Sequence, residues 1–509
     1  MKKNRSACFL TMALFAALAI PVASAAQNSQ PHQAHHYRLV DMGTFGGPNS
    51  YFSLLNNAGT EAGFADTPNS DPFPTYYWVD GYAVNAFQAG TDGSLSDLGA
   101  LPAGNSIALW IASNGLIAGA AENGETDPQY AGLPQVRAIL WQNEKIIDLG
   151  TLPEGGYQSE ANAVNSSGQV VGVAYNTVPD NNSMGTYWLF GGEGGIEPPY
   201  PAQTRAFLWN QQNGMQDLGT LGDGTDAQAL YINDSGQVAG VSYTGSNPGA
   251  SCDYPLATSS FLWEKGKGMR NLGSLGGTCT AANALNNQGQ VVGFSNLKGD
   301  QSYSAFLWSN GKLQQLEGLG GNYSDAHAVN DAGQSVGFAY FAGDTIGHAS
   351  LWNEDGKVTD LGTLGTDLCS YSWAINSQTQ VVGGSKPTCT SESDRAFLWQ
   401  DGAIYDLNTL IPPNSPLYLC CVGSINDRGE MGGYGLDANG NQHAFLLIPC
   451  DEYHPGVEGC DYSLVDAATA AQVSSAPVFQ GRPVTNENRL RRMMRRRYLN
   501  RSLGIEPQK

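Results

Sequence analysis

The side chains that could do chemistry are scattered along this chain rather than gathered in a known motif. The seven histidines form no H-E-x-x-H motif, and neither G-x-S-x-G nor a Walker-type loop occurs, so common hydrolase and phosphate-site signatures are missing. Acid–base chemistry on a glycan needs two carboxyl groups at a defined separation. The carboxylates confined to single loops are Glu193, Asp223, Asp226 and Asp253. Nothing in the sequence pairs them, so catalysis stays an open alternative.

Three histidines can be placed by comparing equivalent positions. His348 and His443 stand where other repeats have arginine, namely Arg137, Arg205 and Arg395, which indicates a structural role. His327 falls inside a predicted inner strand and is the better catalytic candidate. An aspartate also recurs in the segment Asp-Leu-Gly. Because an active site needs one or two such groups rather than one per repeat, we assign these aspartates to turn and strand-end hydrogen bonds.

The cysteines supply a second kind of chemistry. Besides Cys8, near the N-terminus, an even set remains: Cys252, Cys279, Cys369, Cys389, Cys420, Cys421, Cys450 and Cys460. An even set in an exported chain predicts disulfides, and no spacing resembles the CxxC pairs of zinc sites. We predict that Cys252 pairs with Cys279, and that Cys450 and Cys460 close a small loop.

The remaining four cysteines allow two schemes. Cys389 and the Cys420–Cys421 doublet occupy positions equivalent to the Cys252–Cys279 pair, which predicts a bond between Cys389 and the doublet. Cys369 then takes the other doublet cysteine, or it competes for Cys389.

One short segment bears on metal binding. Asp437-Ala438-Asn439-Gly440-Asn441 resembles a fragment of a calcium loop but lacks the terminal glutamate. We expect a plain turn there, with calcium as the less favoured alternative. No other metal and no cofactor is predicted.

A repeated element must position these side chains. Its clearest copy, Ala206–Gly240, reads AFLW, a glycine turn, QDLGTLG, a short link and ALYINDSGQVAG, and it returns at 305–337 and 349–383. Each copy provides four short apolar segments, which predicts a four-stranded antiparallel meander. The Asn-x-x-Gly link between strands one and two is typical of a tight hairpin. Both faces of AFLW are apolar, so both must be covered.

Counting the segments predicts the architecture. Asp-Leu-Gly segments fall near residues 41, 97, 148, 217, 271, 316, 360 and 406, and AFLW segments near 86, 138, 206, 260, 305, 349, 396 and 444. The chain starts on a fourth strand (37–43) and ends on a third strand (444–448). We therefore predict an all-β fold, an eight-bladed β-propeller whose closing blade is a composite of both ends of the repeat region. Seven blades is the alternative.

The repeats resemble those of the HAF-repeat family of exported bacterial proteins, named for the triplet that occurs here at His443-Ala444-Phe445. The AFLW, DLGTLG and IN-x-x-GQVVG blocks recur together and in order over residues 37–449. The resemblance implies a secreted, kelch-like repeat domain without an assigned biochemical role. The early repeats depart from the pattern: Ala86-Phe87-Gln88 lacks Leu-Trp, and residues 111–114 blur the first hairpin.

The loops divide the predicted fold into two faces. Loops one–two and three–four are short turns, whereas loops two–three and four–one leave the opposite end, which we name the long-loop face. The large insertions lie in two–three loops, at 66–84, 175–203 and 243–258. Loops on a rigid scaffold often carry function, so we predict that this face binds an unknown protein or polysaccharide. Simple tolerance of insertions remains equally open.

The N-terminal segment differs from the repeats. Residues 1–25 combine a basic start, an apolar run and Ala23-Ser24-Ala25, which predicts a signal peptide cleaved near Ala25; a retained anchor is the alternative. No later segment could span a membrane, so we expect a secreted or periplasmic protein. The predicted domains are the signal peptide 1–25, a flexible N-terminus 26–36, the propeller 37–449, a disulfide-closed loop 450–460, a linker 461–487 and a basic tail 488–509.

The basic tail contrasts with an acidic body. The chain has a formal charge of −21, yet residues 482–509 carry eight arginines and one lysine against two glutamates. The acidic body excludes nucleic acid as its partner. The tail either forms a basic helix on an anionic surface or docks on the acidic body of its own or a neighbouring molecule. Its arginines are Arg489, Arg491, Arg492, Arg495, Arg496, Arg497 and Arg501; Leu490, Met493, Met494 and Tyr498 recur among them at helical spacing.

The sequence favours an exported, non-catalytic and monomeric propeller that binds through its long-loop face, because the repeats explain nearly every patterned residue. One alternative is a carbohydrate-active enzyme, a polysaccharide lyase or glycoside hydrolase, with loop residues around the central channel. That alternative requires two or more convergent ionisable groups at the long-loop face. A second alternative is an envelope- or matrix-associated surface protein docked by its basic tail.

Overall fold

The apolar segments of the repeats form short strands throughout the chain. The computed structural model describes residues 34–71, 81–102, 104–129, 134–187, 202–248, 255–391, 393–457, 460 and 464–465. The predicted signal peptide, Glu193, Cys252, Asp253 and the basic tail lie outside these residues. Within them, no helix is long and apolar enough to cross a membrane.

The strands are β1 Ala34–His35, β2 Tyr37–Asp41, β3 Ser50–Leu55, β4 Glu61–Ser70, β5 Tyr82–Ala89, β6 Leu95–Asp97, β7 Ser106–Ile111, β8 Ile117–Thr126, β9 Pro134–Gln142, β10 Lys145–Asp148, β11 Ser159–Val164, β12 Val170–Pro179, β13 Ala202–Asn210, β14 Gly214–Asp217, β15 Ala227–Ile232, β16 Val238–Pro248, β17 Leu256–Glu264, β18 Gly268–Asn271, β19 Gly276–Leu285, β20 Val291–Leu297, β21 Tyr303–Ser309, β22 Lys312–Gln315, β23 Gly320–Val329, β24 Ser335–Phe341, β25 Gly347–Trp352, β26 Val358–Asp360, β27 Cys369–Ile375, β28 Val381–Lys386, β29 Arg395–Gln400, β30 Ala403–Asp406, β31 Tyr418–Ile425, β32 Met431–Leu436, β33 Gln442–Pro449 and β34 Leu464–Val465. Two short 3-10 helices are Met184–Tyr187 and Leu407–Thr409.

Successive strands pair as antiparallel meanders of four. β3–β6, β7–β10, β11–β14 and β27–β30 are separate sheets. β15–β26 comprise three further meanders, which single parallel bridges at Thr258–Cys279 and Tyr303–Tyr323 join into one twelve-stranded sheet. β1 pairs with β34 in a small ribbon. The fold is therefore all-β and propeller-like, as the sequence predicts.

The last meander combines both ends of the repeat region. β31, β32 and β33 are joined by β2, which pairs antiparallel with β33 from Tyr37↔Pro449 to Asp41↔Phe445. The backbone N–H of Tyr37 also donates to Leu410 O at 2.8 Å, and that of Cys450 to His36 O at 2.9 Å. The fourth strand of this sheet thus comes from the start of the repeats.

The recurring asparagine and glycine have local causes. Asn233 Oδ1 accepts the backbone N–H of Gln237 at 2.9 Å, which closes the turn between β15 and β16. Gly236 in this turn has a φ of +75°, a conformation that glycine adopts without strain. Gly240 permits a close approach, since a Cβ there would lie 1.9 Å from Gln228 O on the bulged partner strand. These residues are required by the backbone, not by a ligand.

Each AFLW strand packs on two neighbours. Ala206 and Leu208 belong to a buried cluster shared with Phe261 of the next sheet. Phe207, on the other face of β13, belongs to a separate cluster with Leu140 of the preceding sheet. The predicted burial of both faces is confirmed.

Side-chain amides also connect successive sheets at the short-turn end. The turn asparagine of one sheet donates through Nδ2 to a backbone carbonyl in the turn of the next, at 2.7–3.1 Å. The bonds are Asn56 to Ala112, Asn114 to Ser166, Asn165 to Asn233, Asn233 to Asn286, Asn286 to Asn330, Asn330 to Asn376, Asn376 to Asn426 and Asn426 to Asn56.

Candidate functional site

The polar residues that recur in every repeat are used by the scaffold. Arg205 Nε lies 2.8 Å from Asp217 Oδ2, and Asp217 Oδ1 accepts the N–H of Gly219 at 2.8 Å. His443 Nδ1 lies 2.9 Å from Asp41 Oδ1, and this hydrogen bond raises the pKa of His443. Further pairs are His348–Asp360, Arg395–Asp406 and Arg137–Asp148. The structural roles predicted for His348, His443 and these aspartates are confirmed.

His327, the predicted catalytic candidate, also has a scaffold role. Its Nδ1 lies 2.8 Å from Ser372 O in the next inner strand, and a carbonyl can only accept, so Nδ1 carries the proton. Asn162 and Asn283 bind the equivalent carbonyls of Ala229 and Ala326. The Nε2 of His327 lies 3.7 Å from Asp325 Oδ2. One ring nitrogen therefore holds two sheets together, and the other faces a carboxylate.

An aromatic run crosses three neighbouring meanders. It leads from Tyr303, at the long-loop end of β21, to His327 and Trp373, which lie three residues before the turn asparagines Asn330 and Asn376. Successive ring centroids lie 4.5–6.2 Å apart, within the range of favourable aromatic pairs. His327 stacks on Trp373 at 4.5 Å. The members, in order of contact, are Phe294, Tyr303, Tyr323, Tyr340, Phe338, His327, Trp373 and Tyr371. Aromatic residues occupy these positions in some repeats and not in others: the position of Tyr340 carries Asp66, Glu122 and Lys386 elsewhere.

An ion pair lies at one end of this aromatic run. Lys386 Nζ lies 3.4 Å from Asp394 Oδ1 and 5.0 Å from the centre of the Tyr371 ring. Tyr371 donates its hydroxyl to Asp394 Oδ2. Burial, together with the nearby Asp394 carboxylate, raises the pKa of Tyr371, and burial likewise raises the pKa of the adjacent Cys421 thiol. Ionisable and aromatic groups thus converge on the long-loop side of β27, β28 and β31.

Carboxyl groups occupy the corresponding region of the earlier sheets. Asn105 Nδ2 donates to Asp71 Oδ1 at 3.1 Å and to Glu122 Oε2 at 3.2 Å. Burial raises the pKa of Glu122 to about 7; the hydrogen bonds from Asn105 oppose this shift and Asp71 adds to it. Two neighbouring carboxyl groups therefore share one amide donor, and Glu122 can carry a proton near neutral pH.

Asp226, one of the four single-loop carboxylates, anchors an insertion. Its Oδ1 accepts the backbone N–H of Thr204 at 2.7 Å and of Met184 at 3.1 Å. Burial raises its pKa to about 7, and Asp180 contributes to the shift. Asp223, on the same loop, is exposed. Of the four carboxylates, only Asp223 and Asp226 lie among the described residues, and the first is exposed while the second is buried against the insertion.

The disulfides confirm one predicted bond and correct another. Cys450 bonds to Cys460 as predicted. Cys279 is disulfide-bonded, and its predicted partner Cys252 lies outside the described residues. Cys369 bonds to Cys389.

The predicted bond between Cys389 and the doublet is wrong. Cys369 pairs with Lys386 across β27 and β28, so the chain returns Cys389 to within a Cα distance of 5.1 Å of Cys369. Both doublet cysteines are buried thiols, and a register shift between Leu419 and Cys421 leaves Cys420 out of the strand pairing. The alternative, in which Cys369 takes Cys389, is the observed one.

The Asp437 turn has its own hydrogen-bond donors. Asp437 Oδ1 accepts the backbone N–H groups of Asn439 and Asn441, both at 2.8 Å. Asp437 Oδ2 accepts the side-chain amide of Asn441 at 3.0 Å. Burial raises the pKa of Asp437, but these hydrogen bonds outweigh it and the net shift is downward. Elsewhere in the described part of the chain, no three His, Cys, Asp or Glu side chains are grouped to hold a metal ion.

Sequence reasoning missed Tyr340, Lys386 and Glu122. All three stand three residues after the glycine of strand two, where the other repeats have Asp66, Tyr175, Tyr243, Asn296 and Leu436. This variability within an otherwise regular repeat was the available signal. Residues that the scaffold needs recur in most sheets, whereas this position carries a tyrosine in three sheets and charged, amide or aliphatic residues in the others.

Comparison with known proteins shows similarity of fold alone. No protein-family model and no curated protein matches the chain. The β-propeller domain of the Trilobed protease from Pyrococcus furiosus matches with a TM-score of 0.40 and 10% identity, over 70% of this chain and 95% of that domain. Acylaminoacyl peptidase from Pyrococcus horikoshii matches with a TM-score of 0.39 and 11% identity, over 76% of this chain and 57% of its own.

Trypanosoma rangeli sialidase matches with a TM-score of 0.28 and 11% identity, over 81% of this chain and 55% of its own. This chain therefore spans little more than half the length of the peptidase and the sialidase. At these identities and TM-scores, the activity of none of the three is transferred to this chain.

Proposed function

We propose that the four-stranded meanders close into one eight-bladed β-propeller of the HAF-repeat type. The bonds between turn asparagines support this, because they lead from sheet to sheet and return from Asn426 to Asn56 at 3.0 Å. The pairing of β2 with β33 supplies the fourth strand of the composite blade. Full closure leaves no open sheet edge.

The cellular location follows from the cysteines and the N-terminal sequence. Disulfides such as Cys369–Cys389 and Cys450–Cys460 indicate an oxidising, extracytoplasmic compartment. The signal-peptide pattern of residues 1–25 supports export with cleavage near Ala25. Both features favour a secreted or periplasmic protein.

The function that the geometry supports best is non-catalytic ligand binding at the long-loop face. The observation that carries it is the aromatic run from Phe294 to Tyr371, which joins the Lys386–Asp394 pair. The recurring polar residues are hydrogen-bonded or ion-paired within the scaffold, while this continuous run of rings and the Lys386–Asp394 pair extends across three neighbouring meanders. Rigid aromatic surface with a few placed polar groups is typical of binding sites. The net charge of −21 disfavours polyanionic ligands.

The test is a binding screen on the mature protein, with and without calcium. Soluble glucan, xylan, mannan, chitosan and alginate are arrayed with purified envelope proteins. Tyr340→Ala and Lys386→Ala, at the long-loop face, are compared with Asp331→Ala in an exposed turn of the opposite face. We expect the long-loop variants to lose at least tenfold in affinity for a ligand that the screen detects. Loss in Asp331→Ala alone would contradict the assignment.

Two buried carboxyl groups favour a second candidate, a carbohydrate-active enzyme. Glu122 and Asp226 have pKa values raised to about 7, mainly by burial, and a carboxyl that keeps its proton near neutral pH can act as a general acid. Polysaccharides from the screen are therefore assayed for released reducing ends and for new unsaturated ends. Release that Glu122→Gln and Asp226→Asn leave unchanged would exclude both groups from such a reaction.

A further inference from the structure

The insertion between β12 and β13 covers two tyrosine rings. Tyr175 and Tyr243 stand at the same position in neighbouring sheets, and both are 0% exposed. The hydroxyl of Tyr243 donates to Asn182 O at 2.8 Å. Gly185 lies so close to Tyr175 that a Cβ there would be 2.2 Å from the ring. Met184 is buried in one cluster with Tyr243. A peptide segment with a methionine therefore covers these rings.

The same position in the β23–β26 sheet carries Tyr340, and no insertion among the described residues covers it in this way. The flanking two–three loops, 298–302 and 342–346, are short, and both Tyr340 and Tyr323 are partly exposed. Phe338 and His327 lie behind them at 6% and 8% exposure. We name these four residues the tyrosine site. Its rings contact one another at 5.6–6.2 Å.

The tyrosine site differs from its covered counterpart in one further residue. Asp226, which accepts the N–H of Met184 at 3.1 Å, is replaced at the equivalent position by Tyr323. The hydroxyl of Tyr323 reaches Gln301 O at 3.3 Å, so its ring remains at the surface. Rings that already contact one another lose little side-chain entropy when an apolar group is added. Within the described part of the chain, the site is thus a preformed aromatic surface without the peptide that its counterpart has.

The chemistry of the site defines what would cover it. A methionine sulfur beside an aromatic ring gains about 0.3–1.5 kcal/mol, and an arginine over such a ring gains about 0.5–2 kcal/mol. Burial raises the pKa of Tyr340, and Asp344 lies close enough for its charge to contribute to this shift. Asp300 precedes Gln301, whose carbonyl accepts the Tyr323 hydroxyl, and both aspartates are partly exposed. A basic peptide with unbranched apolar side chains matches both the rings and the charge.

The chain itself contains such a peptide. Met493 and Met494 lie side by side among the seven arginines of residues 488–501. The stretch between Val465, the last described residue, and Met493 can extend to about 90 Å, so length does not prevent contact. Opposite charge on the body and the tail favours their association at low ionic strength.

We propose that residues 488–501 dock on the tyrosine site, with Met493 or Met494 against Tyr323 and Tyr340 and the arginines near the neighbouring carboxylates. A docked tail excludes a ligand from these rings, and in that respect alone the inference rests on the proposed function. The docking itself is measured without a ligand. The tail then covers Tyr340 as Met184 and its neighbours cover Tyr243 in the β15–β18 meander.

Photo-crosslinking in the full chain tests the contact. Tyr340 is replaced by p-benzoylphenylalanine, which reacts with nearby C–H bonds, and the control places it at Tyr453, which is 79% exposed. We expect position 340 to crosslink to a peptide within 488–501, and position 453 not to. A mixture of light and isotopically heavy protein shows whether the tail belongs to the same molecule. Position 340 giving no crosslink to 488–501 would overturn the proposal.

Methionine oxidation gives an independent measurement. Met493 and Met494 should be oxidised by peroxide at least threefold more slowly in the wild type than in Tyr323→Ala/Tyr340→Ala, and Tyr453→Ala should match the wild type. High salt should remove the protection. Equal rates in all three proteins would refute docking.

The two assays separate this inference from the proposed function. Loss of ligand binding in Tyr340→Ala without any crosslink to the tail leaves the proposed function standing and overturns the docking. A crosslink to the tail, with no ligand in the screen affected by Tyr340→Ala, supports the docking and contradicts the proposed function.

Discussion

Glu61 gives the sharpest test of how these sheets are packed. It is the first residue of β4 and pairs with Leu55 and Ala89. Its side chain is 0% exposed, and neither carboxyl oxygen has a hydrogen-bond partner in the described structure. Burial raises the pKa of Glu61 well above its ordinary value of 4.5. Four other sheets have valine at the equivalent first position, at Val170, Val238, Val291 and Val381.

The expected effect can be worked out with its sign. A buried polar group without a partner costs about 1–3 kcal/mol, so Glu61→Val should increase the free energy of unfolding by about that amount at pH 5. Because the folded protein holds the proton more tightly than the unfolded chain, the contribution of Glu61 is full below pH 4.5 and is lost as the pH rises toward the folded pKa. Each pH unit in that window costs about 1.4 kcal/mol, so the advantage of the variant should grow with that slope as the pH rises from 5 toward the folded pKa.

Urea unfolding monitored by tryptophan fluorescence at pH 5, 6, 7 and 8 measures these differences. Glu61→Gln keeps a polar side chain of the same size that cannot ionise. Its stability relative to the wild type should therefore rise with pH at the same slope. Glu154→Gln, an exposed glutamate, controls for loss of charge alone. A difference between wild type and Glu61→Gln that stays flat from pH 5 to 8 would refute a buried, protonated Glu61. A Glu61→Val variant less stable than the wild type at every pH would show that the carboxyl group has a stabilising partner.

Three further changes test the contacts between and beyond the sheets. Asn426→Ala removes the 3.0 Å bond to Asn56 O and should cost about 1–2 kcal/mol in urea unfolding, whereas Asn439→Ala in an exposed turn should cost less than about 0.5 kcal/mol; equal effects would argue against a role in closure. The Asp41 hydrogen bond raises the pKa of His443, so the pair stabilises the fold fully below pH 6.5 and this stability is lost as the pH rises through the folded pKa. The fall in Tm from pH 6 to 9 should therefore be smaller in His443→Gln than in the wild type. Identical Tm profiles would count against the pair. Cys450→Ser/Cys460→Ser opens a loop with a sequence separation of 10 and should lower the free energy of unfolding by about 2–3 kcal/mol. Faster proteolysis within residues 451–459 would show the opened loop. Unchanged proteolysis would mean that the His454–Glu430 contact at 3.5 Å holds the loop without the disulfide.

Much of the fold could be predicted from the sequence because its causes are local. The Asn-x-x-Gly turn requires Gly236 at positive φ, and the AFLW strand requires partners for Ala206 on one side and Phe207 on the other. The phase of the repeats likewise placed β2 beside β33, since a chain that starts on strand four and ends on strand three leaves one incomplete sheet. None of these inferences needs a distance between segments far apart in the sequence.

The candidate site could not be predicted in this way, because its residues are defined by what covers them. Equivalence of position suggested a bond from Cys389 to the doublet. Cys369 instead bonds to Cys389, because it pairs across the two strands with Lys386, three residues before Cys389. Likewise Tyr175 and Tyr340 are the same residue at the same position, yet Gly185 lies against the ring of one and no insertion among the described residues covers the other. Equivalence between repeats identifies which side chains can reach the long-loop face. Whether such a side chain is scaffold or surface depends on the length of the two–three loops of its own and the preceding sheet.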